Sequence, residues 1–138
     1  MVGGGILGKA VESALERRGH DVIVLSKGTG FDVTEPKTMT PRSGIDAVVE
    51  ATDVFTQKFD VARDFFTTST RNIDHWAQES GIDKHVLVSI VNCEIDAMSS
   101  NGYYAGKARR GSPWRRTGKP CWCARPCGTS SPARTSTA

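Results

Sequence analysis

Apolar residues in this chain alternate between two rhythms. In MVGGGILGKAVESALERRGHDVIVLSKG, Ile6, Leu7, Val11, Ala14 and Leu15 recur at helical spacing, with Glu12, Glu16, Arg17 and Arg18 facing out. The pattern predicts a helix from about Gly5 to Arg18, ended by Gly19, a residue type that accepts the left-handed backbone of a helix terminus. DVIVL, Asp21 to Leu25, is β-branched and almost wholly apolar, which suits a parallel strand covered on both faces. FDV, Phe31 to Val33, is a candidate short strand, followed by a Pro-interrupted connection from Glu35 to Ser43. DAVVEA, Asp46 to Ala51, predicts another buried strand over Ala47 to Ala51. A long helix follows over Val61 to Ser80, where Phe65, Phe66, Ile73, Trp76 and Ala77 can share a face, and Gly81 closes it. KHVLVSIV, Lys84 to Val91, then predicts a strand centred on His85 to Ser89. Strands alternating with helices in this way argue for an α/β fold, a Rossmann-like parallel sheet with flanking helices.

Composition divides the chain. All fifteen acidic residues lie at or before Asp96, against ten Lys and Arg, a formal charge of −5. The remaining 42 residues hold eight basic residues and no acid, and after Met98 there is no Leu, Ile, Val, Met or Phe. A segment without aliphatic side chains has little to bury, and burial is what offsets chain entropy. Residues 1–108 are therefore expected to form the folded domain and 109–138 a basic tail without a core. No apolar run approaches the roughly 20 residues needed to span a bilayer, and no signal segment opens the chain, so a cytoplasmic protein without a membrane partner is expected.

Gly3, Gly5 and Gly8 form G-x-G-x-x-G at the mouth of the first helix. In such a turn the first glycine permits the bend, the second lets a pyrophosphate approach the backbone, and the third packs helix on sheet. The pattern is weak by itself and needs a preceding strand, yet only Met1 and Val2 stand before Gly3. The chain is thus expected to lack the first strand of its sheet. At the end of the next strand, Ser26 and Lys27 offer a hydroxyl and an ammonium where a carboxylate would select NAD, which favours NADP and leaves NAD as the alternative. Lys27 can equally be a solvated loop lysine. Asp32 is a candidate adenine contact, with the same bland alternative. Farther on, Ser89 stands at a strand end, and Tyr103 and Lys107 form Y-x-x-x-K. Four residues apart on a helix, the ammonium can sit beside the phenol and lower its pKa, which suits proton transfer to or from a carbonyl. An ordinary exposed pair is the competing reading.

Together the glycine turn, GHDVIVLSK, FFTTSTRN, HVLVSIV and GYYAGK resemble the N-terminal half of an atypical short-chain dehydrogenase/reductase of the NAD(P)-binding, NmrA-like branch. The resemblance runs from Gly3 to Lys107. It implies a Rossmann fold holding a nicotinamide dinucleotide through Gly3, Gly5, Ile6, Leu7 and Gly8, with Ser26 and Lys27 near the adenosine phosphate and Ala51 and Thr52 beside the cofactor. It also implies Ser89, Tyr103 and Lys107 as a catalytic set acting on a small carbonyl or alcohol. Some members of this branch sense the cofactor or regulate partners without catalysis, which gives the alternative function. The chain is expected to depart from the family at both ends, with the first strand missing and the C-terminal half replaced by the aliphatic-free tail.

Within that tail, PCWCARPCG, Pro120 to Gly128, crowds Cys121, Cys123 and Cys127 into one stretch. As a zinc site, C-x-C-x₃-C lacks the usual paired spacing and has no histidine near it, so no metal is expected. A nucleic-acid-binding arm fits the charge, but such arms carry denser basic runs. A third reading uses the genetic code. Trp is only TGG and Cys only TGT or TGC. Taking the last base of each codon with the first two of the next, Pro120 to Pro126 can conceal Val-Leu-Val-Arg-Ala-Thr, and Pro113 to Arg116 permits Val-Glu-Glu. The hidden run resembles the family's sixth strand where that strand is due. A frameshift near Ala108 to Gly111 is therefore expected, with cysteines that carry no chemistry and a chain impaired as an enzyme.

Overall fold

The computed structural model describes residues 1–90, 93, 95, 97 and 100–110. The cysteine-rich stretch and the other expectations for residues 111–138 lie outside them. Among the described residues the chain forms helix α1 (Ile6–Glu16), strand β1 (Val48–Glu50), helix α2 (Phe59–Glu79), strand β2 (His85–Leu87) and helix α3 (Gly102–Arg110). Lys27–Thr29 and Pro36–Thr38 each make a single turn of 3₁₀ helix.

β1 and β2 pair in parallel, with Val48 opposite His85, Val49 opposite Val86 and Glu50 opposite Leu87. α2 carries the chain back between them, as a parallel pair requires. Val2 extends the arrangement by bridging in parallel to both Glu50 and Leu25. Four parallel segments thus lie side by side in the order Leu25, Val2, β1, β2. Val2 N–H donates to the Val49 carbonyl (2.8 Å), Ala51 N–H to that of Val2 (2.8 Å) and Gly3 N–H to that of Leu25 (2.9 Å). Val2, wholly buried, does the work of a central strand.

Two expected strands take other forms. Asp21 to Leu25 is extended, but its ladder is reduced to the bridge at Leu25. Leu25 N–H donates to the Met1 carbonyl (2.8 Å) and the Met1 ammonium donates to the Ile23 carbonyl (2.6 Å). Nor is this segment covered on both faces, since Ile23 is 51% exposed. Phe31 to Val33 is not a strand. Its backbone is engaged by side chains instead: Asp32 N–H donates to Thr38 Oγ1 (2.9 Å) and Asn72 Nδ2 donates to the Val33 carbonyl (2.9 Å). The last strand stops at Leu87, short of Ser89.

One face of the sheet holds the core. Val2, Leu25 and Val48 pack with Phe31, Val33 and Met39 against Ile73, Trp76 and Ala77 of α2, with Ile82 beyond. Phe31 meets the Trp76 ring edge-on at 5.2 Å, and Trp76 Nε1 donates to the Thr40 carbonyl (2.9 Å), so the irregular connection is pinned to α2. α3 lies close against α2, where Gly106 has no side chain to hold them apart. A Cβ there would stand 2.8 Å from the Ala62 Cβ. No helix among the described residues is long and apolar enough to cross a membrane.

Candidate functional site

Residues 3–8 make a turn that requires glycine at Gly3 and Gly8. Gly3 has φ +110°, and a Cβ on it would lie 2.5 Å from the Ala51 carbonyl oxygen. A Cβ on Gly8 would lie 2.0 Å from the Gly3 carbonyl oxygen. The first glycine therefore wedges the turn against the end of β1, and the third seats α1 on the turn. Gly5 differs, because nothing in the protein lies within 4 Å of where its Cβ would be. It occupies the N-cap of α1 without a side-chain hydrogen bond, so no capping side chain meets the first-turn N–H groups, the positive end of the helix dipole. Ile6 is 94% exposed and Leu7 is exposed beside it. The outward position of Ile6 departs from the apolar face expected of it: a residue in the first turn of α1 projects beyond the sheet.

Ser26 faces the turn, its Oγ 3.5 Å from where a Cβ on Gly4 would be. Its N–H donates to Thr29 Oγ1 (2.9 Å), which fixes the bend into Lys27. The exposed Lys27 ammonium pairs with the Asp32 carboxylate at 2.9 Å. Asp32 also accepts from Thr34 N–H (2.9 Å) and Thr34 Oγ1 (2.7 Å). The Thr34 hydroxyl, then Lys27, hold the Asp32 carboxyl down at about 2.

The second group gathers at the C-terminal end of β1, next to the residues on which Gly3 rests. Tyr103 and Lys107 share a face of α3, with the ammonium 5.5 Å from the Tyr103 ring centre and 4.5 Å from that of Phe66. Both meet Asp53. The Tyr103 hydroxyl donates to its two carboxylate oxygens (2.8 and 3.0 Å), and Lys107 Nζ stands 3.4 Å from Oδ1. Burial and then Asp53 push the Tyr103 phenol up, the reverse of the lowering expected from Lys107, and the charge that pulls against them is that of Arg110. Burial also lowers the Lys107 ammonium, and nearby Arg110 adds to this against the pull of Asp53. Ser89 is given a different neighbour, with its Oγ 3.5 Å from the thiol of Cys93. The structure thus brings Tyr103 and Lys107 together through Asp53, and Ser89 has no part in that contact.

Beneath lies a cluster that the sequence reading did not single out. Glu50, wholly buried, faces His85 Nε2 at 3.0 Å through Oε2, while its Oε1 accepts from Arg110, Thr52 Oγ1 (2.9 Å) and Thr70 Oγ1 (3.1 Å). Arg110 further donates to Thr70 Oγ1 (2.9 Å) and the Thr52 carbonyl (3.0 Å). Burial opposes ionisation of Glu50, but His85 and Arg110 outweigh it and hold the carboxyl below its usual range. Arg110 lies beyond the expected domain boundary at 108, yet α3 continues through it and its side chain is fully buried. The available signal was an acid in alternation with Val48 on a buried strand, with a histidine opening the next.

A shallow cleft of about 280 Å³ lined by Met39, Arg71, His75, Trp76 and Glu79 shares no residue with either group. Among the described residues, no set of three or more His, Cys, Asp or Glu could hold a metal ion. No protein-family model matches the chain, and no curated protein matches it.

Proposed function

We propose that the glycine turn binds a nicotinamide dinucleotide, NADP in preference to NAD, on a Rossmann-like fold of the short-chain dehydrogenase/reductase kind, in its NmrA-like branch. The observation that carries this reading is the division of labour among the glycines: Gly3 and Gly8 are closed in by backbone, while the place of a Gly5 Cβ is open. In this reading the pyrophosphate takes that opening and lies against the N–H groups of the first turn of α1, where backbone donors and the helix dipole favour anions. Ser26 faces the same turn, and Lys27 offers a 2′-phosphate an ammonium that it now shares with Asp32. Ala51 and Thr52 form the wall beneath the turn, and the exposed Ile6 and Leu7 flank it.

The reaction we assign is hydride exchange with a small carbonyl or alcohol. The bound cofactor supplies the hydride-transfer chemistry. Tyr103 holds the proton destined for the carbonyl oxygen, and Lys107 places positive charge beside the phenol. A second reading, a dinucleotide sensor without turnover, is favoured by the engagement of the Tyr103 hydroxyl with Asp53.

Calorimetric titration tests the binding. NADP should bind more tightly than NAD, Lys27→Ala should remove the preference, and Gly8→Ala should abolish binding while circular dichroism reports retained helix. Unchanged NADP affinity in Gly8→Ala would overturn the assignment. Turnover with a panel of small carbonyls, lost in Tyr103→Phe, separates enzyme from sensor.

A further inference from the structure

Asp53 lies just past β1, between the wall of the glycine turn and the face of α3 that carries Tyr103 and Lys107. The three groups are unequally exposed. The Lys107 side chain is 1% exposed and that of Asp53 48%, so the ammonium is sealed under the carboxylate while the carboxylate reaches solvent. A buried ammonium needs a counter-charge, and Asp53 provides one. The same carboxylate occupies the phenol hydroxyl, the donor that a substrate oxygen would require.

We propose that Asp53 is a positioning residue that gates Tyr103: it holds the phenol beside Lys107 at rest, and a substrate carbonyl oxygen must displace it before the proton can move. The proposal rests on the oxidoreductase reading. Once the oxygen has taken the place of Asp53, the phenol O–H bond breaks as the new O–H bond forms. A bound reduced nicotinamide would supply hydride, and with it the electron pair, to the carbonyl carbon, while the phenolate left on Tyr103 lies beside the Lys107 ammonium. The gate therefore has two charges of opposite effect. Asp53 opposes phenolate and favours the resting donor, whereas Lys107 supports phenolate. Other charged or titratable groups facing this pair are Arg110 and Tyr104 of α3 and Glu50 of β1.

The test needs neither cofactor nor substrate. In the full chain carrying Tyr104→Phe, 3-fluorotyrosine incorporated at Tyr103 brings phenol ionisation to a milder pH. Phenolate absorbance is followed against pH while circular dichroism monitors the helices. Asp53→Asn should raise the ionisation constant at least tenfold, about one pH unit. Asp53→Glu, which keeps the carboxylate, should leave it within about threefold of its starting value. No change in Asp53→Asn, or an equal rise in Asp53→Glu, would overturn the gate. Should Asp53→Asn fail to fold, Asp53→Ser takes its place, with the same rise expected and an unchanged constant contradicting the gate. NADP titration remains separate: binding without the rise in Asp53→Asn removes the gate and keeps the site. The rise without NADP binding removes the oxidoreductase reading on which the gate depends.

Discussion

α2 buries Ala62, Phe66, Ser69, Thr70, Ile73, Trp76 and Ala77, whereas the buried residue of α1 is Gly8. Side-chain volume holds α2 and close backbone approach holds α1. Val11, Ala14 and Leu15 of α1 are half-buried. Stability and ligand binding should therefore separate in space. The α2 face packs its apolar side chains into the core beside the Glu50 cluster, so substitutions there should cost the most. α1 contributes less and leaves its first turn available.

The strongest way to break this comparison is on the α2 side. Glu50→Gln would leave Arg110 and His85 buried without their carboxylate and should cost about 3–5 kcal/mol in urea unfolding. Trp76→Ala should cost a similar amount, about 3–5 kcal/mol, by opening a cavity beside Phe31. If either variant unfolded at the wild-type urea midpoint, the core would have to lie elsewhere.

Acid provides the next test. Asp32 titrates at about 2 in the folded chain, below the ordinary Asp value of about 3.9. A depressed carboxyl stabilises above its unfolded pKa, and that contribution is lost as pH falls through the folded one. Stability should therefore decline from about pH 4 to about pH 2. Glu50, also depressed, adds in the same direction. Thermal melts across this range should show a shallower decline in Asp32→Asn, and an unchanged slope would count against the Lys27 and Thr34 contacts.

On the α1 side the effects should shrink. Leu15→Ala should cost under about 1 kcal/mol, because a half-buried side chain leaves little cavity. Ile6→Ser, at a position that is 94% exposed, should stay within about 0.5 kcal/mol by the same urea measurement. A loss at Ile6 as large as at Trp76 would erase the distinction between the helices.

The features legible in the sequence were those with a strong period or a steric requirement. Phe66, Ile73, Trp76 and Ala77 recur at helical spacing and all face the core. Val48 and His85 begin parallel strands within the segments expected for them. Gly3 and Gly8 occupy the positions that a tight turn demands. What periodicity does not encode is whether a neighbour exists. DVIVL has the composition of a buried strand, but it meets Val2 through a single bridge at Leu25 and is otherwise extended chain. The Y-x-x-x-K spacing placed Tyr103 and Lys107 on one helix face, but their shared partner is Asp53, fifty residues away from Tyr103 in sequence. Likewise the burial of Glu50 depends on partners from α2, β2 and α3. Such contacts are set by tertiary approach, which local pattern does not report.

Gly106 has a mechanical consequence. A Cβ there would stand 2.8 Å from the Ala62 Cβ, and one on Gly102 would stand 2.4 Å from the Gln57 carbonyl oxygen. The two absent side chains act as notches that fix the height of α3 against α2 and the residues leading into it. A side chain at either notch would lift that end of α3 away. Tyr103 and Lys107 each follow one notch directly, so the reach of phenol and ammonium to Asp53 is set by two residues that carry no side chain.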